Sequence, residues 1–239
     1  MHSTYHFRRC CVGILERTAV APWGHSASAI YNTFDTQHHT VVMATIETSN
    51  TAIADVVIIE PKPIGDVRGY FAETYRSDIF DAAVGRHISF VQENQSKSRR
   101  GVVRGLHFQR GAAAQGKLVR VVSGSVLDVA VDIRRGSPTF GQYVAVELSE
   151  YNMRQLWVPR GFAHGFAVLS EQAVFQYKCD RYYHPEAEAA IAWDDPDIGI
   201  DWRLNTADVL LSDKDRHHPR LCQIPEDVLF DYNQDLYAL

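Results

Sequence analysis

The stretch Leu127-Asp128-Val129-Ala130-Val131-Asp132-Ile133 indicates the fold class most clearly. Every odd position in it is apolar, whereas Asp128 and Asp132 occupy alternate positions. This period of two is typical of a β-strand with one buried face. The polar side chains on its other face are then expected to point to solvent or to line a cavity.

The same alternation extends outward from this strand. Val144, Val146 and Leu148 alternate with other residues, and turn-forming residues such as Gly136-Ser137-Pro138 and Pro159-Arg160-Gly161 separate the apolar runs. Further strands are predicted at residues 55–61, 71–75, 102–109, 117–122, 156–158, 162–169 and 173–180.

Helix signals are few in comparison. Ser77 could cap a short helix over residues 77–84 that ends at Gly85, and Pro225 could open a C-terminal helix over residues 225–232. Many short strands with one or two helices favour an all-β fold, either an antiparallel barrel or a double-sheet jelly roll.

Composition limits the classes of function. The chain has 239 residues and a formal net charge of −5, which fits one large β domain without general attraction for nucleic acid or anionic lipid. No apolar run approaches the roughly 20 residues that a membrane helix needs. Cys10, Cys11, Cys179 and Cys222 lack the spacing of a zinc site. We therefore expect reduced thiols in a cytoplasmic protein.

The first 42 residues differ from the rest. They contain five of the eleven histidines, two acidic residues and no sustained periodicity, whereas regular alternation begins after Met43. The composition predicts a poorly ordered extension over residues 1–42, or a chain whose true start is Met43, followed by one domain over residues 43–239.

Polar residues are dense between Gln92 and Gln109. Lys97, Arg99, Arg100 and Arg104 lie in this segment, and Lys117 and Arg120 follow it. Such a cluster could hold a diphosphate through charge-assisted hydrogen bonds, or it could be a solvated surface stretch.

His107 and His164 each lie inside an apolar run. A histidine in such a run is usually a hydrogen-bonded core residue, but two on β-strands also suggest a metal site. Position 109 is Gln, so the close His-x-His pair of a metal-binding β-barrel is missing. No metal is expected.

Several long motifs together resemble one family. They are GDVRGYF (65–71), VRGLHFQ (103–109), QGKLVR (115–120), VPRGFAHGF (158–166), YK (177–178), WDDPDIGIDW (193–202) and LSDKD (211–215). In this order they resemble the dTDP-4-dehydrorhamnose 3,5-epimerase family, over about residues 55–224. The resemblance implies a cupin-like jelly roll, no cofactor, a dTDP-4-keto-6-deoxy-sugar as substrate and a homodimer.

The resemblance also implies roles for individual residues. His107 would be the base beside the 4-keto group, oriented by Asp215. Lys117 would stabilise the enolate oxygen, and Tyr177 would return a proton to the opposite face. The residues implied to hold the substrate are Arg68, Glu73, Gln92, Glu93, Asn94, Arg104, Lys117, His164, Glu188 and Lys214. Position 93 is Glu where relatives often have Asp.

Alternatives remain at four points. Tyr177 could be a core aromatic, and Ser212 with Asp215 has the spacing of a helix capping box. The reaction could be limited to C3 or C5, could be a ketoisomerisation, or could be absent in a sugar-nucleotide-binding barrel. Strict alternation puts Arg104 and His107 on opposite faces, so both reach one cavity only if Gly105 marks a bulge or Arg104 lies at the strand mouth.

Overall fold

The structure is a computed structural model that describes residues 45–238. The predicted extension and its boundary at residue 42 lie outside the described residues. Within them the chain forms fifteen strands and the α-helix α1 (Ser77–Val84). The strands are β1 (Thr45–Asn50), β2 (Val57–Lys62), β3 (Ile64–Asp66), β4 (Gly69–Phe71), β5 (Gln92–Arg99), β6 (Val103–Gln109), β7 (Lys117–Ser123), β8 (Ser125–Asp132), β9 (Arg134–Arg135), β10 (Tyr143–Ser149), β11 (Gln155–Val158), β12 (Phe162–Val168), β13 (Gln172–Cys179), β14 (Glu188–Ala190) and β15 (Phe230–Asp231).

Two antiparallel sheets form the body of the fold. One has the strand order β1-β2-β11-β7-β13-β5, and the other has the order β10-β8-β12-β6-β14. Apolar side chains from both sheets pack into a shared core, in which Val119 and Phe175 of the first sheet meet Ala130 and Phe166 of the second. The prediction of a double-sheet jelly roll is confirmed, and because the two sheets remain separate the closed-barrel alternative is wrong.

The five-stranded sheet is covered on both faces, which corrects one expectation. Leu127 and Val129 of β8 pack under the chain that follows residue 190, as predicted for the apolar face. Asp128 and Asp132 are fully buried as well. Neither points to solvent: Asp128 pairs with His164, and Asp132 accepts hydrogen bonds from the Arg134 guanidinium and two hydroxyl groups. Buried carboxylates need such partners.

Of the two predicted helices, only the first is present. The helix at residues 77–84 is confirmed, although Ser77 is its first helical residue rather than its cap, and Gly85 ends it with a left-handed φ of +73°. The C-terminal helix predicted at residues 225–232 is wrong. That segment forms a short 3-10 turn and then β15, because Phe230 pairs with Arg134 and its ring is buried against the sheet. No helix within residues 45–238 is long and apolar enough to cross a membrane.

A β-bulge resolves the problem of Arg104 and His107. On β12, His164 pairs with His107 and Phe166 pairs with Arg104, so β6 carries one more residue than its partner between these pairs. The prediction of a bulge at Gly105 is confirmed. The extra residue lets Arg104 and His107 share one side of the strand.

Gly105 is required at this bulge for two reasons. Its φ is +133°, and a Cβ atom there would lie 2.5 Å from the Cα atom of Gly165 and 2.9 Å from the carbonyl oxygen of His164. Both contacts are with backbone atoms of β12, which cannot move aside without disturbing the sheet.

We expect Gly105→Ala to lower the free energy of unfolding by about 2 kcal/mol or more, because it adds a steric clash to backbone strain. Gly69→Ala is the matched control, since Gly69 has a φ of +131° but no atom within 4 Å of the added Cβ. Chemical denaturation of both variants measures the difference. Equal losses would show that the close approach of β6 and β12 does not constrain the fold.

Candidate active site

A cavity of about 290 Å³ lies between the two sheets. His107 on β6 and Glu188 on β14 come from the five-stranded sheet. Lys117 on β7 and Tyr177 on β13 come from the six-stranded sheet. The lining residues are Gln92, Asn94, His107, Phe108, Gln109, Gln115, Lys117, Tyr177, Tyr183 and Glu188. The cavity therefore has two walls, each with its own titratable groups.

Other cavities among the described residues are larger, with volumes from about 360 to about 630 Å³. One of about 550 Å³ is lined by Arg86, Arg160 and Tyr237, and one of about 630 Å³ is lined largely by apolar groups such as Ile198 and Leu229. The smaller cavity is the candidate active site because a histidine, a lysine and a tyrosine converge there. Chemistry decides this assignment more than volume does.

His107 is held by the carboxylate of Asp215. The His107 Nε2 and Asp215 Oδ1 atoms are 2.6 Å apart, and the Ser212 hydroxyl donates to Asp215 Oδ2 at 2.8 Å. Burial tends to raise the pKa of Asp215, but the hydrogen bonds from His107 and Ser212 lower it overall. The carboxylate is thus charged at neutral pH and accepts the Nε2 proton. His107 Nδ1, which has no hydrogen-bond partner among residues 45–238, is left as the proton acceptor.

The amino group of Lys117 lines the cavity without a hydrogen bond or ion pair to any described residue. Burial lowers the pKa of Lys117, and the nearby charges of Asp128 and Glu188 oppose this shift. An ammonium without a close anionic partner is available for a negative charge that develops on a ligand.

Lys117 follows a fixed backbone turn. The Asp180 carboxylate accepts the Gly116 N–H at 2.8 Å and pairs with the Arg160 guanidinium at 2.9 Å. Both partners of this ion pair are buried. The pair fixes the start of β7 and therefore the backbone that carries Lys117.

Tyr177 lies opposite His107 on the other wall. Burial raises the pKa of Tyr177, with smaller lowering effects from the Arg104 charge and Asn94. The phenol therefore keeps its proton at neutral pH. Arg104 also donates to the Ser98 hydroxyl at 3.1 Å and 3.2 Å, which holds the guanidinium near this wall.

Glu188 joins two further groups at the cavity. Its carboxylate accepts a hydrogen bond from Lys214 Nζ and one from the Tyr183 hydroxyl, the latter at 3.1 Å. The hydrogen bond from Lys214 is the main cause that lowers the pKa of Glu188. Gln92 accepts the Tyr183 N–H at 2.9 Å and so links the same tyrosine to β5.

Four of the predicted site residues lie away from this cavity. Arg68 is exposed at the tip of the β3–β4 hairpin and pairs with Asp66. Glu73 follows that hairpin, and Glu93 points to the other side of β5 and pairs with Lys178 at 3.0 Å. His164 is buried in the core and pairs with Asp128, as the core-residue alternative described.

Other lining residues escaped the sequence analysis. Tyr183, Gln115 and Phe108 line the cavity, and Gln109 accepts the backbone N–H of His184 at 2.8 Å. The Tyr182-Tyr183 pair after β13 was the one available signal, since adjacent aromatics in a loop suggest ligand contact.

Comparisons with known proteins identify the family of the chain. The chain matches the sequence model of the dTDP-4-dehydrorhamnose 3,5-epimerase family over residues 50–223. The chain belongs to this family. A dTDP-4-dehydrorhamnose 3,5-epimerase of Salmonella typhimurium is 57% identical over 173 residues, which cover 72% of this chain and 94% of that protein. One from Methanothermobacter thermautotrophicus is 49% identical over 184 residues, 77% of this chain and 98% of that protein.

Solved structures of the epimerase family share the fold. A Legionella pneumophila 3,5-epimerase in complex with dTDP-4-keto-L-rhamnose matches with a TM-score of 0.75 and 50% identity, over 79% of this chain and all of that one. A 3'-monoepimerase from Streptomyces bikiniensis in complex with dTDP-quinovose matches with a TM-score of 0.73 and 32% identity, over 79% and 94% of the two chains. This chain is therefore an isomerase of the epimerase type with the cupin-like fold of the family.

We expect the amino group of Lys117 to titrate at lower pH than that of Lys214. Burial lowers the pKa of Lys117, whereas the hydrogen bond to Glu188 raises the pKa of Lys214. Acylation over a range of pH, followed by peptide mapping, gives the titration midpoint of each lysine independently of its accessibility. A midpoint for Lys117 at or above that of Lys214 would contradict the conclusion that burial lowers the pKa of Lys117.

Proposed function

We propose that this epimerase inverts C3 and C5 of dTDP-4-dehydro-6-deoxy-D-glucose and so forms dTDP-4-dehydro-L-rhamnose, without a cofactor. The observation that carries the proposal is the two-walled cavity. A base held by Asp215 lies on one wall, and a protonated phenol with an unpaired ammonium lies on the other. A flat sugar ring between the walls has the base on one face and the acid on the other.

The first step forms an enolate. His107 Nδ1 takes the proton from the carbon next to the ketone, and the electron pair of that bond moves through the enolate to the keto oxygen. Lys117 faces this oxygen, and one pre-oriented donor of this kind lowers a barrier by roughly 3 kcal/mol. Asp215 stabilises the imidazolium that results.

The second step completes the inversion. Tyr177 donates its proton to the same carbon from the opposite face, and the electron pair of the enolate forms the new C–H bond. The phenolate then regains a proton from solvent, and His107 releases its own. The raised pKa of Tyr177 suits this role because a buried phenol is a ready donor to a strongly basic carbon.

Polar groups around the cavity suit the rest of the substrate. Gln92 and Asn94 can form hydrogen bonds with the sugar and the nucleobase of the substrate. Arg104 and Lys214 offer positive charge to the diphosphate. Arg68 and Glu73 complete the proposed substrate contacts from outside this cavity. Glu93 and His164 lie away from the cavity and act on it only by supporting β5 and β12.

We further propose that Arg68 serves the cavity of a second copy in a homodimer. The β3–β4 hairpin leaves Val67, Tyr70 and Phe71 largely exposed, and β1 is the edge strand of the six-stranded sheet within residues 45–238. Exposed apolar groups beside an open strand edge favour association.

We also propose a cytoplasmic location, because a reducing cytoplasm suits the unpaired Cys179 and Cys222.

Inversion at a single carbon is the second candidate. The 3'-monoepimerase of Streptomyces bikiniensis has the same fold as this chain. Its identity of 32% is well below the 50% of the Legionella 3,5-epimerase, which favours double inversion.

Turnover in deuterated water tests the function. We expect deuterium at both C3 and C5 of the product, and a loss of about 100-fold or more in rate for His107→Ala, the scale of a lost general base. Deuterium at one carbon would favour the single-inversion alternative. Binding of the sugar nucleotide without any exchange would favour a non-catalytic barrel.

The variant Tyr177→Phe is the sharper part of this test. It keeps the ring but removes the acid, so His107 can only return the proton to the face from which it came. We expect exchange of solvent deuterium to continue while much less inverted sugar forms. NMR follows both in one sample, and wild-type rates of both would remove Tyr177 from the mechanism.

Mixed dimers test the role of Arg68. We expect co-expressed Arg68→Ala and His107→Ala chains to regain activity above either parent, because the cavity with intact His107 then receives an intact Arg68 from its partner. Co-expressed His107→Ala and Lys117→Ala chains are the matched control, since both residues line one cavity and neither site becomes whole.

Restored activity only in the first pair supports the homodimer. No restoration in the first pair, with mixed dimers present by mass spectrometry, would mean that Arg68 acts within its own chain or not at all.

A further inference from the structure

Three potential metal ligands lie together beside the cavity. His107, Asp215 and His218 each offer one ligand atom, and these atoms lie within 4.8 Å of one another. Asp215 Oδ1 is 2.6 Å from His107 Nε2 and 3.4 Å from His218 Nε2. The proposed epimerisation uses His107 and Asp215 but gives His218 no role.

The local backbone fixes this group. Ser212 holds the Asp215 carboxylate, and the spacing of three residues brings His218 to the same side of the turn. The two imidazole rings meet edge to face, with centroids 5.9 Å apart. The Asp215 side chain is 5% exposed, whereas those of His107 and His218 are 33% and 18% exposed. Solvent therefore reaches the two imidazole rings, although the His218 Nε2 atom itself is buried.

Two imidazoles and a carboxylate form a ligand set for late divalent ions such as Zn²⁺ or Co²⁺. Ligand atoms around tetrahedral zinc lie roughly 3.3 Å apart, since each bond is about 2.0–2.1 Å long. The His218–Asp215 distance already fits. The closer His107–Asp215 contact has to lengthen as the ion replaces the shared proton, and the two histidine nitrogens, which lie within 4.8 Å of each other, have to reach the same spacing.

We propose that His107, Asp215 and His218 bind Zn²⁺ or a similar divalent transition-metal ion, and that this ion inhibits the enzyme. The inhibition rests on the proposed function, because it acts on the base of that reaction. The site does not depend on a His-x-His pair on a strand, whose absence led the sequence analysis to expect no metal. It is an inhibitory site and not a cofactor site.

Inhibition follows from the position of one proton. Neutral His107 carries a single ring proton, on Nε2 towards Asp215. When Nε2 bonds to the ion, that proton must move to Nδ1 by exchange with solvent. Nδ1 then has no lone pair to accept a proton from the sugar. A chelator that removes the ion reverses the change.

The Nε2 atom of His218 is suited to bind the ion, because it is buried and has no hydrogen-bond partner among the described residues.

The test uses the full chain after chelator treatment. Zn²⁺ is added to the deuterium-exchange assay, and Co²⁺ binding is titrated separately by visible absorption. We expect Zn²⁺ to inhibit the wild type and a chelator to restore it. In His218→Gln, Co²⁺ affinity should fall at least about tenfold, the lower end of the loss that even outer-shell changes cause. Inhibition of this variant by Zn²⁺, measured relative to its own metal-free rate, should weaken by the same factor as the Co²⁺ affinity.

His217→Gln is the matched control. His217 adjoins His218 in sequence, but its Nδ1 atom contacts the backbone oxygen of Asp213. This variant should bind Co²⁺ and be inhibited by Zn²⁺ as the wild type is. Ions bound by histidines elsewhere in the chain affect both variants alike, so the comparison removes their contribution. Equal Co²⁺ affinity in the two variants would overturn the site. Because the titration needs no turnover, absence of exchange activity would refute the proposed function and leave the metal site decided by Co²⁺ alone.

Discussion

The hydrogen bond between His107 and Asp215 is the interaction on which the site depends. It joins β6 to the turn after Ser212 and therefore binds the C-terminal segment to the five-stranded sheet. The buried carboxylate needs a donor, and the imidazole supplies it. In return Asp215 selects one tautomer of His107, which leaves the other ring nitrogen to accept a proton.

Burial acts on the opposite wall in two ways. It disfavours the charged form of each group, so it lowers the pKa of Lys117 and raises that of Tyr177. The same desolvation thus keeps the phenol ready to donate and makes the ammonium easier to lose as pH rises. The carboxylates of Asp128 and Glu188 compensate in part at Lys117. Because Asp128 is buried near Lys117 rather than facing solvent, its charge opposes the lowering of the Lys117 pKa.

Alternation along the strands predicted much of the fold, because a sheet that buries one face leaves that signature. Most predicted strands agree with the structure within two residues, but the one at 71–75 ends at Phe71. Two strands, β1 and β5, were not recognised because their residues are mostly polar, and β3, β9, β14 and β15 were missed because each has only two or three residues. Strand pairing overrode the helix expected at 225–232. At the site, motif resemblance found His107, Lys117 and Tyr177. The contacts of His218 with His107 and of Tyr183 with Gln92 join distant chain segments that only folding brings together, so local sequence does not encode them.

In the proposed reaction, Asp215 holds the proton of His107 on Nε2 and leaves Nδ1 free as the base. Long-range ¹H–¹⁵N correlation spectra of the labelled, metal-free protein at neutral pH measure the position of this proton directly, with His107→Gln assigning the signals. We expect a protonated Nε2 and an unprotonated Nδ1. A neutral ring with its proton on Nδ1 would contradict this expectation.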